Sequence, residues 1–207
     1  DFCLSRGLGD VYKRQPFNSS RRWRGREVVT LKFFYDTEFI EDGSTIELVS
    51  IGIVAEDGRE YYAVSREFDA SSANEWVRTN VLSKLPGSDD AAWKSRATIR
   101  DEVLEFLTVG GSKPELWAWV GAYDHVVLAQ LWGDMRQLPP EVPRFTRELK
   151  QYWEMAGRPR LPQIPAGNHD ALVDARHNLN KYRVCAHALP LDRGGRVSTW
   201  RNRLSGY

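Results

Sequence analysis

From Leu31 onward the chain alternates between apolar blocks and short polar breaks. LKFFYDTEFI and IELVSIGIVAEDGREYYAV are rich in β-branched and aromatic residues and are split by EDGS and EDG. That is the composition of strands joined by tight turns, and it predicts a three-stranded meander. Helical periods follow, first over residues 72–85 and then over 98–107, where Ile99, Val103, Phe106 and Leu107 recur at steps of one, three and four. The run ELWAWV, residues 115–120, is short, apolar and bounded by Gly121, as a strand covered on both faces would be. Residues 125–132 predict a helix ended by Gly133, and PPEVPRF leads to another near 146–156. After the proline-rich RPRLPQIPAGN, a last helix runs from about Asp170 to His187. Strands first, then helices and strands interleaved, predict one α/β domain over residues 31–188, a mixed β-sheet flanked by α-helices.

Composition narrows the class. A chain of 207 residues, 42% apolar and 28% charged, is long enough for one full core and excludes extended disorder. No apolar run reaches the roughly 18 to 20 residues needed to span a bilayer, since Asp124, His125 and Gln130 interrupt even residues 115–132. Cys3 and Cys185 are too few for a disulfide framework or a zinc site, so a reducing, cytoplasmic setting is expected.

The net charge of +1 hides an asymmetry. Residues 1–32 hold eight basic and three acidic residues, residues 189–207 hold four and one, and the body between them holds seventeen against twenty-four. Such a body does not bind nucleic acid through a general basic surface, so any polyanion it handles calls for metal ions beside local basic groups. Residues 1–30 read as a basic leader with no apolar period, and FCLSRGLGDVYKRQ resembles translated adapter sequence. The alternative is a basic arm, Arg21 to Arg26, gripping nucleic acid. Residues 189–207 read as a frayed basic tail.

Three places break the pattern in ways that suggest chemistry. Asp36 and Glu38 lie two apart within an aromatic strand, so the period of two puts both carboxylates on one face. Two half-buried like charges cost several kcal/mol that a divalent cation can offset, unless that face is simply solvated. Asp124 follows a buried strand where a helix begins, a place that suits an N-cap and also the strand-end crevice where α/β sheets collect ligands. In NHDALVDARHNL, His169 precedes Asp174 by five residues, about 140° apart if both were helical. Asp170 and Asp174, one turn apart, form a rival pair, and a capping role for His169 and Asp170 is the plain alternative.

Taken together, the order DTE, then Asp after a strand, then His-x4-Asp resembles the DEDDh class of 3′-to-5′ exonucleases on the ribonuclease H-like fold. The phrases YDTEFIEDG, ELWAWVGAYDHV, VPRFTREL and HDALVDAR are similar to those of mycobacterial and actinobacterial 3′-to-5′ exoribonucleases related to oligoribonuclease and RNase T, across residues 33–183. The resemblance implies Asp36, Glu38, Asp124 and Asp174 as ligands of two Mg²⁺ ions, with Mn²⁺ as a substitute, and His169 as general base. Within it, Asp36 bridges both ions, Glu38 and Asp174 serve the ion that carries the attacking water, and Asp124 serves the other. Thr37 and Phe39 are expected to hold the 3′ end, through backbone at the terminal hydroxyl and an apolar side chain on the last base. An RNA substrate with a free 3′ end and a homodimer are likewise expectations from the family. Where many relatives place an Asn, this chain has Trp119 and Val120, so substrate contacts there should differ.

Two other readings stay open, a DNA exonuclease on the same site and a non-catalytic binding module, although all five site residues are present. Trp117, Trp119, Trp132 and Trp153 are expected to pack the core rather than stack on bases. Arg144, Arg147 and Lys150 are basic residues to examine for phosphate contacts, a solvated helix face being the alternative.

Overall fold

A computed structural model describes residues 30–191; the expected basic leader and most of the expected tail lie outside the described residues. The meander is present as β1 (Thr30–Glu41), β2 (Ile46–Ala55) and β3 (Glu60–Ser65), paired antiparallel. Then come α1 (Glu75–Asn80), β4 (Trp93–Lys94), α2 (Arg96–Thr108), β5 (Lys113–Ala118), α3 (Ala122–Ala129), β6 (Arg147–Glu148), α4 (Leu149–Met155) and α5 (Ala171–Ala188). The sheet is mixed, ordered β4-β3-β2-β1-β5-β6, with β1 parallel to β5. Among the described residues no helix is long and apolar enough to cross a membrane.

Helices α1, α2, α4 and α5 start where a side chain can satisfy their free N–H groups. Ser95 caps α2 and Asp170 caps α5, the latter accepting from Leu172 and Val173. Ile99, Val103 and Leu107 form the buried stripe of α2, and Ala175, Leu179, Tyr182 and Cys185 belong to that of α5. The expected helix over 72–85 is a single α turn and a half between two 3₁₀ turns, Ala70–Ser72 and Leu82–Lys84. The helix expected near 146–156 starts later, because Arg147 and Glu148 first extend to pair with β5 and Glu148 then caps α4.

Strand β1 is the axis of the molecule. Phe33, Phe34 and Tyr35 are fully buried, at about 2 to 3 kcal/mol of transfer free energy for a large side chain. Phe33 and Tyr35 point into the core shared with α2 and α3, and Phe34 into the one under α4 and α5. Trp117 is buried against Tyr152 and Tyr182, while Trp132, Trp153 and Trp119 pack on the cores half-covered. Cys185 is a buried free thiol.

Two features of β1 make room for chemistry. Its pairing with β5 stops at Phe34 opposite Trp117, so beyond that point one side of the strand loses its ladder. A register irregularity between Glu38 and Phe39 then breaks the pairing with β2, the kind of bulge that re-aims side chains beside a site.

Candidate active site

A cavity of about 700 Å³ opens where β1 and β5 part, and Asp36, Glu38, Asp124, His169 and Asp174 all line it. Backbone groups of β1 that β5 no longer pairs still need partners. Thr37 N–H and its hydroxyl both donate to Asp124 Oδ1, at 2.8 and 2.7 Å, and Asn178 Nδ2 donates to the Tyr35 carbonyl at 3.1 Å. Asp124 therefore stitches α3 to β1 rather than capping its own helix, whose N-cap Gly121 offers no side chain. The hydrogen bonds engage Thr37 in orienting Asp124, while its hydroxyl oxygen keeps lone pairs to accept a further bond.

The turn that delivers Asp124 is strained. Val120 has a left-handed φ of 57°, an outlier for a β-branched residue. Glu148 holds it there, accepting from the Val120 and Gly121 N–H groups at 2.8 and 3.0 Å. Strain of this kind persists only where the surroundings over-determine it, and it collects at functional sites.

Helix α5 reaches the site through a close approach. Asp36 pairs with Gly52 of β2, and a Cβ on Gly52 would stand 2.3 Å from the Ala171 carbonyl oxygen. Only glycine lets the first turn of α5 lie against the sheet, which brings Asp174 over Asp36 and Glu38. Asp170 caps α5, whereas Asp174 lines the cavity and its Oδ2 accepts the His169 N–H at 2.7 Å. His169 precedes the helix with a left-handed φ of 64°, so the helical-wheel angle does not apply to it. Ligand atoms of Glu38, His169 and Asp174 all lie within 4.8 Å of one another.

The electrostatics are set first by burial and then by the carboxylates' mutual repulsion. Burial, then Asp124, Glu38 and Asp174, hold the Asp36 carboxyl well above the usual range. Burial and the neighbouring Asp174 and Asp124 push Glu38 up to about 8. Burial likewise lifts Asp124 to about 6, against the lowering effect of its Thr37 bonds. Lys181, also on α5, is pulled down by burial and up by Asp36 and Asp174.

Several lining residues were not anticipated. Trp76 on α1 is 54% exposed and meets the His169 ring edge-on at 4.8 Å. Tyr123 is 56% exposed and stacks parallel on Phe39 at 5.7 Å. His177, Asn178 and Lys181 complete the α5 wall. A helical count from Asp174 puts residues three, four and seven positions on near the same face, the one signal that could have found them. Trp119, expected only in the core, packs on Trp153 and also lines the cavity. Lys84 bonds the Asn168 carbonyl, tying the His169 loop to the segment after α1. Arg144 and Arg147 line a different cavity, and Lys150 is exposed on α4 outside the site.

Comparison with known proteins supplies the family and the fold. The family model of the Rv2179c-like 3′-5′ exoribonuclease domain matches residues 31–186. The 3′-5′ exoribonuclease Rv2179c of Mycobacterium tuberculosis strain H37Rv is 61% identical over 165 residues, which cover 79% of this chain and 98% of the relative. The zinc-bound E. coli ExoI–ssDNA complex is similar in fold, with a TM-score of 0.54 at 11% identity over 76% of this chain and 40% of that one. So is the nuclease domain of 3′hExo, a DEDDh family member bound to rAMP, with a TM-score of 0.50 at 15% identity over 79% of this chain and 94% of that one. The chain belongs to the Rv2179c-like 3′-5′ exoribonuclease domain family, and its fold is shared with the DEDDh nuclease domain of 3′hExo.

Proposed function

We propose that the protein removes nucleotides from the 3′ end of RNA by metal-dependent phosphodiester hydrolysis, with Asp36, Glu38, Asp124 and Asp174 as metal ligands and His169 as general base. The observation that carries this reading is the convergence of four carboxylates from β1, α3 and α5 on one cavity, three of them held above their ordinary range by burial, with the neighbouring carboxylates adding to the effect at Asp36 and Glu38. The donor set fits: oxygen-rich, without thiolates, and with donor atoms of Glu38 and Asp174 close enough to share an ion. Two Mg²⁺ or Mn²⁺ ions bound there supply a lowered water pKa on one side and stabilisation of the leaving oxygen on the other.

The chain's own groups do the rest. An imidazole nitrogen can accept a proton, so the His169 ring suits taking the proton of the attacking water. Its reach is fixed by the Asp174 bond to its backbone, by Trp76 against its ring and by Lys84 on the preceding carbonyl. The Thr37 hydroxyl oxygen accepts from the terminal 3′-OH while staying bonded to Asp124. Phe39, backed by Tyr123, and the open face of Trp76 offer sequence-tolerant stacking surfaces for the last bases. The 61% identity to a protein named an exoribonuclease favours RNA over DNA.

The test is cleavage of matched 5′-labelled RNA and DNA oligonucleotides with free 3′ ends, with Mg²⁺ and with EDTA. The reading expects RNA to shorten as a ladder from the 3′ end and EDTA to stop it. Endonucleolytic fragments, a preference for DNA, or turnover in EDTA would contradict it.

A further inference from the structure

Among the described residues lining the acidic cavity, Lys181 is the one lysine or arginine. It sits two turns after Asp174 on α5, and helical side chains lean toward the N-terminus, so its stem leads back to the carboxylates. Asp36 and Asp174 both feel its charge, yet among the described residues it forms no ion pair within 4.0 Å. Neutral groups hold it instead. Its ammonium stands 4.5 Å from the centre of the Trp119 ring and donates to Asn178 Oδ1 at 3.1 Å. Asn178 is itself buried and anchored on the Tyr35 carbonyl, one residue before Asp36.

This placement is unlike that of the other cations near the sheet, such as Arg147 and Lys94, which are matched to Glu115 and Glu102. An ammonium has three N–H donors, and the amide of Asn178 takes one. The remaining two, on a side chain steadied by a ring face and a fixed amide, are free for an anion entering the cavity.

We propose that Lys181 binds the phosphate of the substrate's terminal nucleotide, with Trp119 and Asn178 positioning it for that contact. This assignment rests on the exonuclease reading and deepens it. Once divalent ions offset the carboxylates, the phosphodiester still brings negative charge of its own, and Lys181 meets it as a compact point charge.

The test compares AMP with adenosine, which differ only in the phosphate, by titration onto the full chain in saturating Mg²⁺. Lys181→Met is expected to weaken AMP about ten- to a hundredfold, the range of a charge-assisted hydrogen bond, and adenosine less than twofold. Lys181→Arg should recover most of the AMP affinity, and Mg²⁺ affinity should hold or rise, since a like charge has left the site. Lys181→Gln gives the same contrast should the methionine variant fail to fold. AMP affinity within twofold of wild type, equal losses for AMP and adenosine, or loss of Mg²⁺ binding would overturn the assignment and leave Lys181 as a counter-charge of the carboxylates. Wild-type protein without EDTA-sensitive hydrolysis would instead overturn the underlying reading, and this inference with it.

Discussion

Among the described residues, two cavities of similar size lie at opposite ends of the same strands, and their charges are handled in opposite ways. One, about 700 Å³, lies where β1 and β5 part at their C-terminal ends; the other, about 800 Å³, lies at their N-terminal ends, beside Thr30, Lys113 and the Pro140–Arg147 segment. In the second cavity Arg147 pairs with Glu115 at 3.0 Å and covers the Trp117 ring, and Arg144 donates to the Met135 carbonyl. In the first, burial raises Asp36, Glu38 and Asp124, and neighbouring carboxylates raise Asp36 and Glu38 further. Volume does not distinguish a site from a gap in packing; buried carboxylates with raised pKa values point to one, because such groups cluster where an ion or substrate is bound. The position agrees with the rule that open α/β sheets bind ligands outside the carboxyl ends of their strands, where neighbours diverge.

The sharpest way to break this contrast is to remove one charge from each cavity. Asp36→Ala should lower RNA hydrolysis by at least about a thousandfold while the metal-free protein folds as well or better, because the deleted carboxylate repels its neighbours. Arg147→Ala should keep hydrolysis within twofold and cost about 1 kcal/mol of stability, a partly exposed pair being worth no more. Rates and denaturant midpoints of the two variants side by side decide the matter, and equal effects on hydrolysis would erase the distinction. A smaller effect belongs to His169→Ala, expected to slow the single-turnover rate at pH 7 by about a hundredfold or more while RNA binding changes less than threefold. Parallel losses of rate and binding would make His169 a substrate contact rather than a base.

What was legible in the sequence follows from which rules are local. Asp36 and Glu38 were readable because a strand's period of two is strict and their neighbours are aromatic. The meander was readable from its β-branched and aromatic runs between turn residues, and α5 from a helical pattern sustained over eighteen residues. Strands β4 and β6 were not, since two residues hold no period and pair only because β3 and β5 present free edges. Asp124 was visible as a strand-end carboxylate, but its partner Thr37 lies 87 residues away, so nothing local could favour the site over the N-cap. Spacing alone could not separate Asp170 from Asp174; the extended backbone at Asp170 and the left-handed one at His169 do. Trp76 reaches the site across 93 residues of sequence, which no window along the chain detects.

The central claim is that folding brings these carboxylates together at an electrostatic cost that divalent ions remove, and thermal unfolding against pH and Mg²⁺ tests it most directly. Glu38 sits at about 8 in the native state against an ordinary 4.5, so between those values the native protein binds a proton that the unfolded chain has released. Stability of the metal-free protein must then fall as pH rises through that window, and Asp124, at about 6 against 3.8, and the raised Asp36 act in the same sense. His125 and His177, whose imidazoles burial pulls down, act oppositely, and an Asp36→Asn variant separates the two contributions. The account predicts a metal-free Tm several degrees lower at pH 8 than at pH 5.5, on the scale of about 2 to 4 °C per kcal/mol for a domain of this size. It also predicts that Mg²⁺ closes the gap by acting mainly at pH 8, and that the gap is smaller in Asp36→Asn. A metal-free Tm that is flat or rises over that range, or that does not respond to Mg²⁺ at pH 8, would contradict it.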